Sequence, residues 1–532
     1  MKKFLLLSIL AFSISTIAFG QQMEWLKSNA VQYTLNPTMP KHLIAASGNT
    51  VYAAGLDSPS VNFGQGIFGK QIINCYTASG NFKWSFSIGP TAYIEDIVTD
   101  SSGNLLAAGK FIENLHLSSN DSLVNSGSGL NTNIFMLCLD STGTLLWKKN
   151  ISDSFPTFFE VNTLASDHTG SFWYSIQNFD SSYIIQLDNT GQNVRTYTIN
   201  GTRTLSSISF DRQNNLFFAG STQSGTFSYL NSTVPVPESY MMFVARITSS
   251  GNPSWVKLAH DVTFQSPKVV ATLDGNAFLG GNLMDSTTWG TIPFNHPQWV
   301  YGMFLTRLDS LGNFYWGVNV PTTPTITGDF QPGANRFFDA DISGNIYLTG
   351  IIRGTIDWGN NVVTTSGTIP SDKISLLSFD YNGQPRWSIN GGSSNVNTAF
   401  NVSVISDDAL YFACSTQDTT TFDSLTTNAG NGYAGVFGKI ALTIPTNITK
   451  NEFPENILLY PNPASASIEF TITNKTPESL TLYDVNGNSA LRKEFLVPGI
   501  NRVNIESLSP GIYFIQWKSG NNLHTTKFMK PN

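Results

Sequence analysis

The chain has 532 residues, enough for one large domain with a smaller companion or for several small ones. Only 12% of the residues are charged and the net charge is −7, which leaves no basic footprint for nucleic acid or anionic lipid. Ser, Thr, Asn and Gly carry the polarity instead, a composition suited to short strands joined by tight turns.

Lys2 and Lys3 precede an apolar run from Phe4 to Ile17, and Ala18-Phe19-Gly20 then gives a small-x-small pattern. Residues 1–20 therefore read as a secretory signal peptide, with the mature chain beginning near Gln21. The run is short for a spanning helix, and no later segment is long and apolar enough to be one.

From Met23 to Leu442 one unit recurs. A glycine turn is followed four residues later by tryptophan in TASGNFKW (77–84), DSTGTLLW (140–147), TSSGNPSW (248–255), DSLGNFYW (309–316) and DYNGQPRW (380–387). DNTGQNVR (188–195) keeps the turn but puts Arg195 where the tryptophan stands elsewhere. Between these copies lie strands of the SSGNLLAAG or ISGNIYLTG type, and strands of the FMLCLD or FLTRLD type. Asp at the first turn position with Gly at the fourth is the pattern of a type I turn closed by a left-handed glycine. Four short strands per unit predict an all-β fold, a seven-bladed β-propeller of four-stranded blades over 21–442. Both internal strand types occur seven times, but only six Trp-type segments follow them. Trp25, in MEWLKSNAV, supplies the seventh, so the N-terminal strand is predicted to close the ring and remove its open edges. The unit resembles the SBBP-type propeller repeat of exported bacterial proteins, with its D-x-x-G-N-x-Y-x-x-G core. That resemblance implies an architecture and leaves the ligand open.

Residues 443–456 are rich in Pro, Thr and Asn and read as a linker. Alternating apolar residues beyond it predict a small immunoglobulin-like β-sandwich over 457–532. Three elements stand out: Tyr460-Pro461-Asn462-Pro463, Leu482-Tyr483-Asp484 with its Asn486-Gly487 turn, and Leu508-Ser509-Pro510-Gly511-Ile512-Tyr513. With the terminal Lys527-Phe528-Met529-Lys530, they resemble the type A sorting domain of the Bacteroidetes type IX secretion system. The resemblance implies that secretion machinery as partner, passage across the outer membrane to the surface or the medium, and later removal of the module. It assigns the sorting motif to Tyr460, Pro461, Asn462, Pro463, Gly487, Pro510, Gly511 and Tyr513.

Cys75, Cys138 and Cys414 form no disulfide framework and read as small buried hydrophobes. The six histidines lack metal-ligand spacing, and no nucleophile elbow, P-loop or C-x-x-C occurs. Asp100, Asp140, Asp188, Asp309, Asp341 and Asp380 recur in register, so they are expected to cap turns. No metal and no cofactor is therefore expected. Connections on the face opposite the Asp turns vary most, and Phe158, Phe159, Glu160, Phe294, His296, Trp299, Tyr301 and Asp329 break the repeat there. Those residues are the candidate ligand face. The leading expectation is a monomeric, exported, non-catalytic protein that binds a glycan, a peptide or another surface protein. The rivals are a polysaccharide lyase or hydrolase working from the same face, and an adhesive scaffold without a pocket.

Overall fold

A computed structural model describes residues 21–30, 41–58, 69–118, 121–125, 132–155, 160–178, 181–223, 225–238, 241–260, 266–321, 328–366, 372–405, 407–442, 459–472, 479–485, 487–494, 499–519 and 522–531. The expected signal peptide and linker, together with Phe158, Phe159 and Asn486, lie outside these residues. The chain divides into two units, Met1–Ile444 and Pro445–Asn532. Among the described residues the only helical element is one 3-10 turn, Ile151–Asp153, and the rest is strand, turn and loop.

In the first unit strands pair antiparallel in fours. Thr202–Phe210, Leu216–Thr222, Met241–Ile247 and Pro253–His260 pair in that order. So do Lys268–Ala271, Ala277–Leu283, Gly302–Leu308 and Phe314–Asn319. The same order runs through Glu160–Ser166, Phe172–Gln177, Ser181–Leu187 and Asn193–Asn200. Separate sheets are expected from the repeat, yet neighbouring sets are fused at two places, one of them where Gly391 and Gly392 of Pro385–Gly392 pair with Ala409–Phe422. Phe82–Thr99 is a single long strand whose first half pairs with Gly69–Thr77 and whose second half pairs with Leu105–Phe111. The last set is completed from the other end of the sequence. Gln22–Ala30 pairs with Leu425–Ala441, in a register running from Gln22 opposite Ala441 to Ala30 opposite Ala434.

Middle strands such as Leu105–Phe111, Asn133–Leu139 and Leu216–Thr222 are buried at every residue. Both of their faces are covered by neighbouring sheets, which is why they read as continuous apolar runs rather than alternating ones. Met136 and Cys138 of one set share a core with Tyr174 and Ile185 of the next. The first strands of the sets also touch in succession. Leu43–Ser47 meets Phe82–Thr99, and contacts then pass through Glu160–Ser166, Thr202–Phe210, Lys268–Ala271, Phe338–Ala340 and Asn397–Ile405 before returning to Leu43–Ser47.

The repeated turns are closed by their aspartates. Asp140 Oδ1 accepts from the backbone N–H of Thr142 (2.8 Å) and Thr144 (2.9 Å). Asp100, Asp188, Asp309, Asp341 and Asp380 accept from the same two positions of their own turns. In five of the turns that lead into the outermost strand of a set, the glycine then receives the tryptophan of the preceding set. A Cβ on Gly143 would lie 2.7 Å from the Trp84 ring, and one on Gly312 would lie 2.9 Å from the Trp255 ring. Both glycines have positive φ, so the residue supplies the backbone conformation and the space at once. Trp25 on Gly80, Trp147 on Gly191 and Trp316 on Gly383 repeat the contact. Four of these indoles also donate Nε1–H to the carbonyl two residues before the glycine: Trp25 to Ala78, Trp84 to Ser141, Trp255 to Ser310 and Trp316 to Tyr381.

The second unit has two antiparallel sheets. Ser467–Ile472 pairs with Gly499–Asn504, and a four-stranded sheet runs in the order Ser489–Glu494, Ser479–Tyr483, Gly511–Ser519, Asn522–Lys530. Ile468, Phe470 and Val503 of one sheet share a core with Leu480, Leu482, Ile515 and Phe528 of the other.

Substitutions at one indole–glycine joint test its weight. Trp255→Ala should lower the unfolding free energy by about 2–3 kcal/mol in urea titration. Gly312→Ala should cost about 1–3 kcal/mol alone, but only about 1 kcal/mol once the Trp255 ring is gone, because strain at φ +79° then remains with only the movable end of Lys257 to displace. Equal costs in both backgrounds would mean that the ring and the glycine do not form one joint.

Candidate functional site

The first strand of each set has an inward edge with no further strand to pair with. Side chains from the neighbouring set satisfy part of that edge. Asp96 Oδ2 accepts from Leu164 N–H at 2.9 Å, and Asp339 Oδ2 accepts from Val404 N–H at 2.9 Å. Asn401 both accepts from Ile44 N–H (3.0 Å) and donates to Ile44 C=O (2.7 Å). Ser207 and Ser209 do the same work for Val269 and Ala271. Polar residues in these strands thus hold neighbouring sheets together where the backbone alone cannot.

The same edges gather the charges of the unit. Lys41 Nζ donates to Glu95 Oε2 (3.1 Å) and to Glu95 C=O (2.9 Å), and lies 5.5 Å from the Tyr93 ring centre. Lys110 Nζ sits 3.2 Å from Glu95 Oε1 and 3.4 Å from Glu160 Oε2, so it bridges two carboxylates. Gln177 donates to the other Glu160 oxygen at 3.0 Å. From the segment before Phe338–Ala340, Asn335 reaches Glu95 C=O (3.3 Å), and Arg336 reaches Leu164 C=O (2.9 Å) and Asp96 (3.8 Å). Lys268 donates to Ser206 C=O at 2.8 Å.

Burial would raise the Glu95 carboxyl, but Lys41 and Lys110 outweigh it and hold the group below its usual range. Burial likewise works against the Lys41 ammonium, yet Tyr93 and Glu95 carry it above its ordinary value. Lys268 differs. Desolvation pulls it down to about 8, and the neighbouring Lys41 and Arg336 charges add to the effect while Asp96 opposes it. The site is therefore a set of fixed, mostly compensated charges with one ammonium that loses its proton easily.

The residues singled out from the sequence fall in three places. Glu160 belongs to the charged set. Tyr301 and Asp329 meet at Arg353, which lies 5.5 Å from the Tyr301 ring centre, contacts Asp329 Oδ1 at 3.4 Å and grips Asp372 with two bonds of 2.9 Å. Asp329 is raised by burial, against the pull of Arg353. Phe294 and His296 stabilise their own loop instead. Phe294 is buried against Phe304, while His296 is buried with Nε2 3.1 Å from Val300 C=O and its pKa is lowered by burial. Trp299 is 71% exposed on a backbone with φ +65°. Among the described residues no contact joins Glu160, His296 and Asp329, and no group of three His, Cys, Asp or Glu could hold a metal ion. The three cysteines are buried and unpaired.

Lys41, Tyr93, Glu95, Asp96, Lys110, Lys268 and Arg336 escaped the sequence reading, although a signal existed. Four residues before the turn position, other copies carry Thr163 or Ser207, whereas Asp96 and Lys268 place a charge in an otherwise apolar strand.

In the C-terminal unit the motif residues are tied to the last strand. Asn462 Oδ1 accepts from Met529 N–H (3.0 Å), and Ala464 N–H donates to Met529 C=O (2.9 Å). Tyr513 stacks on Phe528 at 5.5 Å and donates to Ser509 C=O (2.8 Å). Lys530 is 9% exposed and donates to the carbonyls of Ile505, Glu506 and Leu508 at 2.6–2.7 Å. Gly487 closes the Asp484 turn at φ +83°.

Residues 458–531 match a family model described as a secretion system C-terminal sorting domain. This segment directs export to the cell surface or secretion, through the type IX system. Among the described residues no helix is long and apolar enough to cross a membrane. No curated protein matches the chain. Among solved structures, the Dos1 propeller is similar over 79% of this chain and 95% of its own, at 8% identity and a TM-score of 0.38. Dipeptidyl peptidase 4 of Porphyromonas gingivalis is similar over 80% of this chain and 64% of its own, at 11% identity and a TM-score of 0.30. A protein of unknown function from Bacteroides caccae covers 52% of this chain and 80% of its own, at 12% identity and a TM-score of 0.27. Likenesses this weak bear on neither fold nor function, which rest on the chain's own pairing and contacts.

His42, next to Lys41, gives the site a pH signature. It is fully buried between Gly55 and Gly435, and burial depresses its pKa from 6.5 to about 3. Below pH 6.5 the unfolded chain takes up this proton and the folded chain does not, so stability is complete above 6.5 and is lost as pH falls. Unfolding free energy should drop by roughly 1.4 kcal/mol per pH unit between 6 and 4 on this account. In His42→Leu the slope over that range should flatten, as read by urea titration at several pH values.

Proposed function

We propose that residues 21–442 form a seven-bladed β-propeller closed by the Gln22–Ala30 strand, and that the exported protein binds a charged polar ligand where its first strands converge. The return of the first-strand contacts to their starting point supports the ring, and the pairing of Gln22–Ala30 with the last set supports its closure. The C-terminal unit is then an immunoglobulin-like sandwich that serves delivery and is dispensable for binding. One observation carries the binding reading: Lys41, Glu95, Lys110 and Glu160 form an alternating line of paired charges, flanked by Arg336 and Lys268, at one end of the converging strands. Such pairs present donors and acceptors in fixed positions, which suits an acidic glycan or a peptide.

A glycoside hydrolase would need one carboxyl kept protonated beside an ionised partner. Glu95 is held in the opposite sense, and Lys110 occupies the space between it and Glu160. The geometry favours binding over hydrolysis.

The exported protein should bind members of an acidic-glycan and peptide array, and Lys110→Met with Glu160→Gln should reduce that binding at least tenfold. Equal binding by the variant would remove the ligand from this site. Separately, a chain lacking residues 459–532 should accumulate without reaching the cell surface or medium. Normal delivery of that chain would contradict the sorting role and leave the binding result untouched.

A further inference from the structure

The indole–glycine joint fails at one place. Arg195 occupies the tryptophan position by register, since Gln186 faces Arg195 across a bulge just as Cys138 faces Trp147. The Arg195 side chain is exposed, and Nη1 donates to Tyr197 Oη at 3.2 Å. At the next turn, Gly251 has the same left-handed backbone as its counterparts, yet a Cβ there would meet only the Tyr197 hydroxyl, at 3.3 Å. Where five other glycines lie under an indole face, Gly251 has none.

The space is real. A cavity of about 210 Å³ opens beside Arg195, Tyr197, Trp173, Phe210 and Ser249. Trp173 stacks parallel to Tyr197 (6.1 Å, 13°) and is fixed by its Nε1–H bond to Asp167 Oδ2 (2.8 Å). One wall is therefore aromatic and held in place, and the rest of the lining is polar, with Asp167, Thr169, Gln213 and Asn214 among it. In the intact joints the carbonyl two residues before the glycine accepts the indole N–H. The equivalent carbonyl here belongs to Ser249, which lines the cavity. By the repeat, this is the place of a flat bicyclic ring with one N–H; here the Tyr197 hydroxyl lies over Gly251, and the open space beside it runs between Trp173, Tyr197 and Ser249.

We propose that this gap is a binding site for an indole-type ring supplied from outside the chain, with Arg195 lying at its mouth as a cation for the ring face or for an attached acidic group. The ring can come from a free indole or from an exposed tryptophan side chain of a peptide. The slot is separate from the charged set among the first strands, and binding in either place is independent of the other.

Calorimetric titration of the full chain with indole, and with N-acetyl-tryptophanamide, tests this. Saturable binding of indole is expected, and Arg195→Trp, which fills the slot with the chain's own ring, should weaken it at least tenfold while raising the melting temperature. Binding of both probes points to a tryptophan side chain as the source, and binding of indole alone points to a free ring. Absence of saturable binding by either probe, or unchanged binding in a folded Arg195→Trp, overturns the proposal. Should that variant fail to fold, a crystal of the unaltered protein soaked with indole decides the matter: density between Tyr197 and Ser249 supports the site, and density elsewhere or none rejects it.

Discussion

Everything in the large unit depends on an indole ring lying flat on a glycine that can have no side chain. A four-stranded antiparallel sheet that is apolar on both faces is not stable alone, and it must bury each face against a neighbour. Trp84 on Gly143, Trp255 on Gly312 and their counterparts fix how each sheet meets the next at its outer edge. The cap of each turn, Asp in four of the five and Thr77 in the Gly80 turn, sets the backbone that makes room for the ring. Cap, glycine, ring and carbonyl are one device, repeated. Two of its departures are informative. At Arg195 the ring is missing and a cavity results. At Trp387 the Nε1–H finds no acceptor among the described residues, because the set it leans on is the one shared by the two ends of the chain, where no Asp turn exists.

The inner edges follow a different rule. There the backbone of a first strand faces no partner strand, and side chains must reach across from the neighbouring set. Where a short hydroxyl suffices, Ser207 and Ser209 serve. Where an Asp or Asn serves, as at Asp96, Asp339 and Asn401, the site acquires charge or a paired amide as a by-product of holding the sheets together. Arg336 and Lys268 lie beside the Asp96 charge, while Lys41 and Lys110 pair with the adjacent Glu95. Asp96 and Arg336 therefore belong both to the sheet junction and to the candidate site.

The outer architecture was legible because it is periodic. Turn glycines, capping aspartates and tryptophans recur at fixed spacing, so the strand order and the role of Trp25 could be read from residue types alone. The charged set was not, because its members come from five separate copies and each looks like a lone polar residue in its own strand. Phe294 and His296 stand out in the sequence for the opposite reason. They break the repeat, but they do so in an inserted hairpin whose side chains pack inward, and irregularity in sequence marks an insertion as readily as a ligand site. Asp329 and Tyr301 broke the repeat in the same way, and there Arg353 joins them.

The least local pairing in the fold is that of Gln22–Ala30 with the last sheet. Hydrogen exchange followed by mass spectrometry reads it directly. Alternate amides of the edge strand Gln22–Ala30, those bonded into the ladder, should exchange as slowly as those of 434–441, with both protected to the level of global unfolding. If Gln22–Ala30 exchanges at the rate of an exposed terminus while 434–441 stays protected, the ring is not closed by this strand.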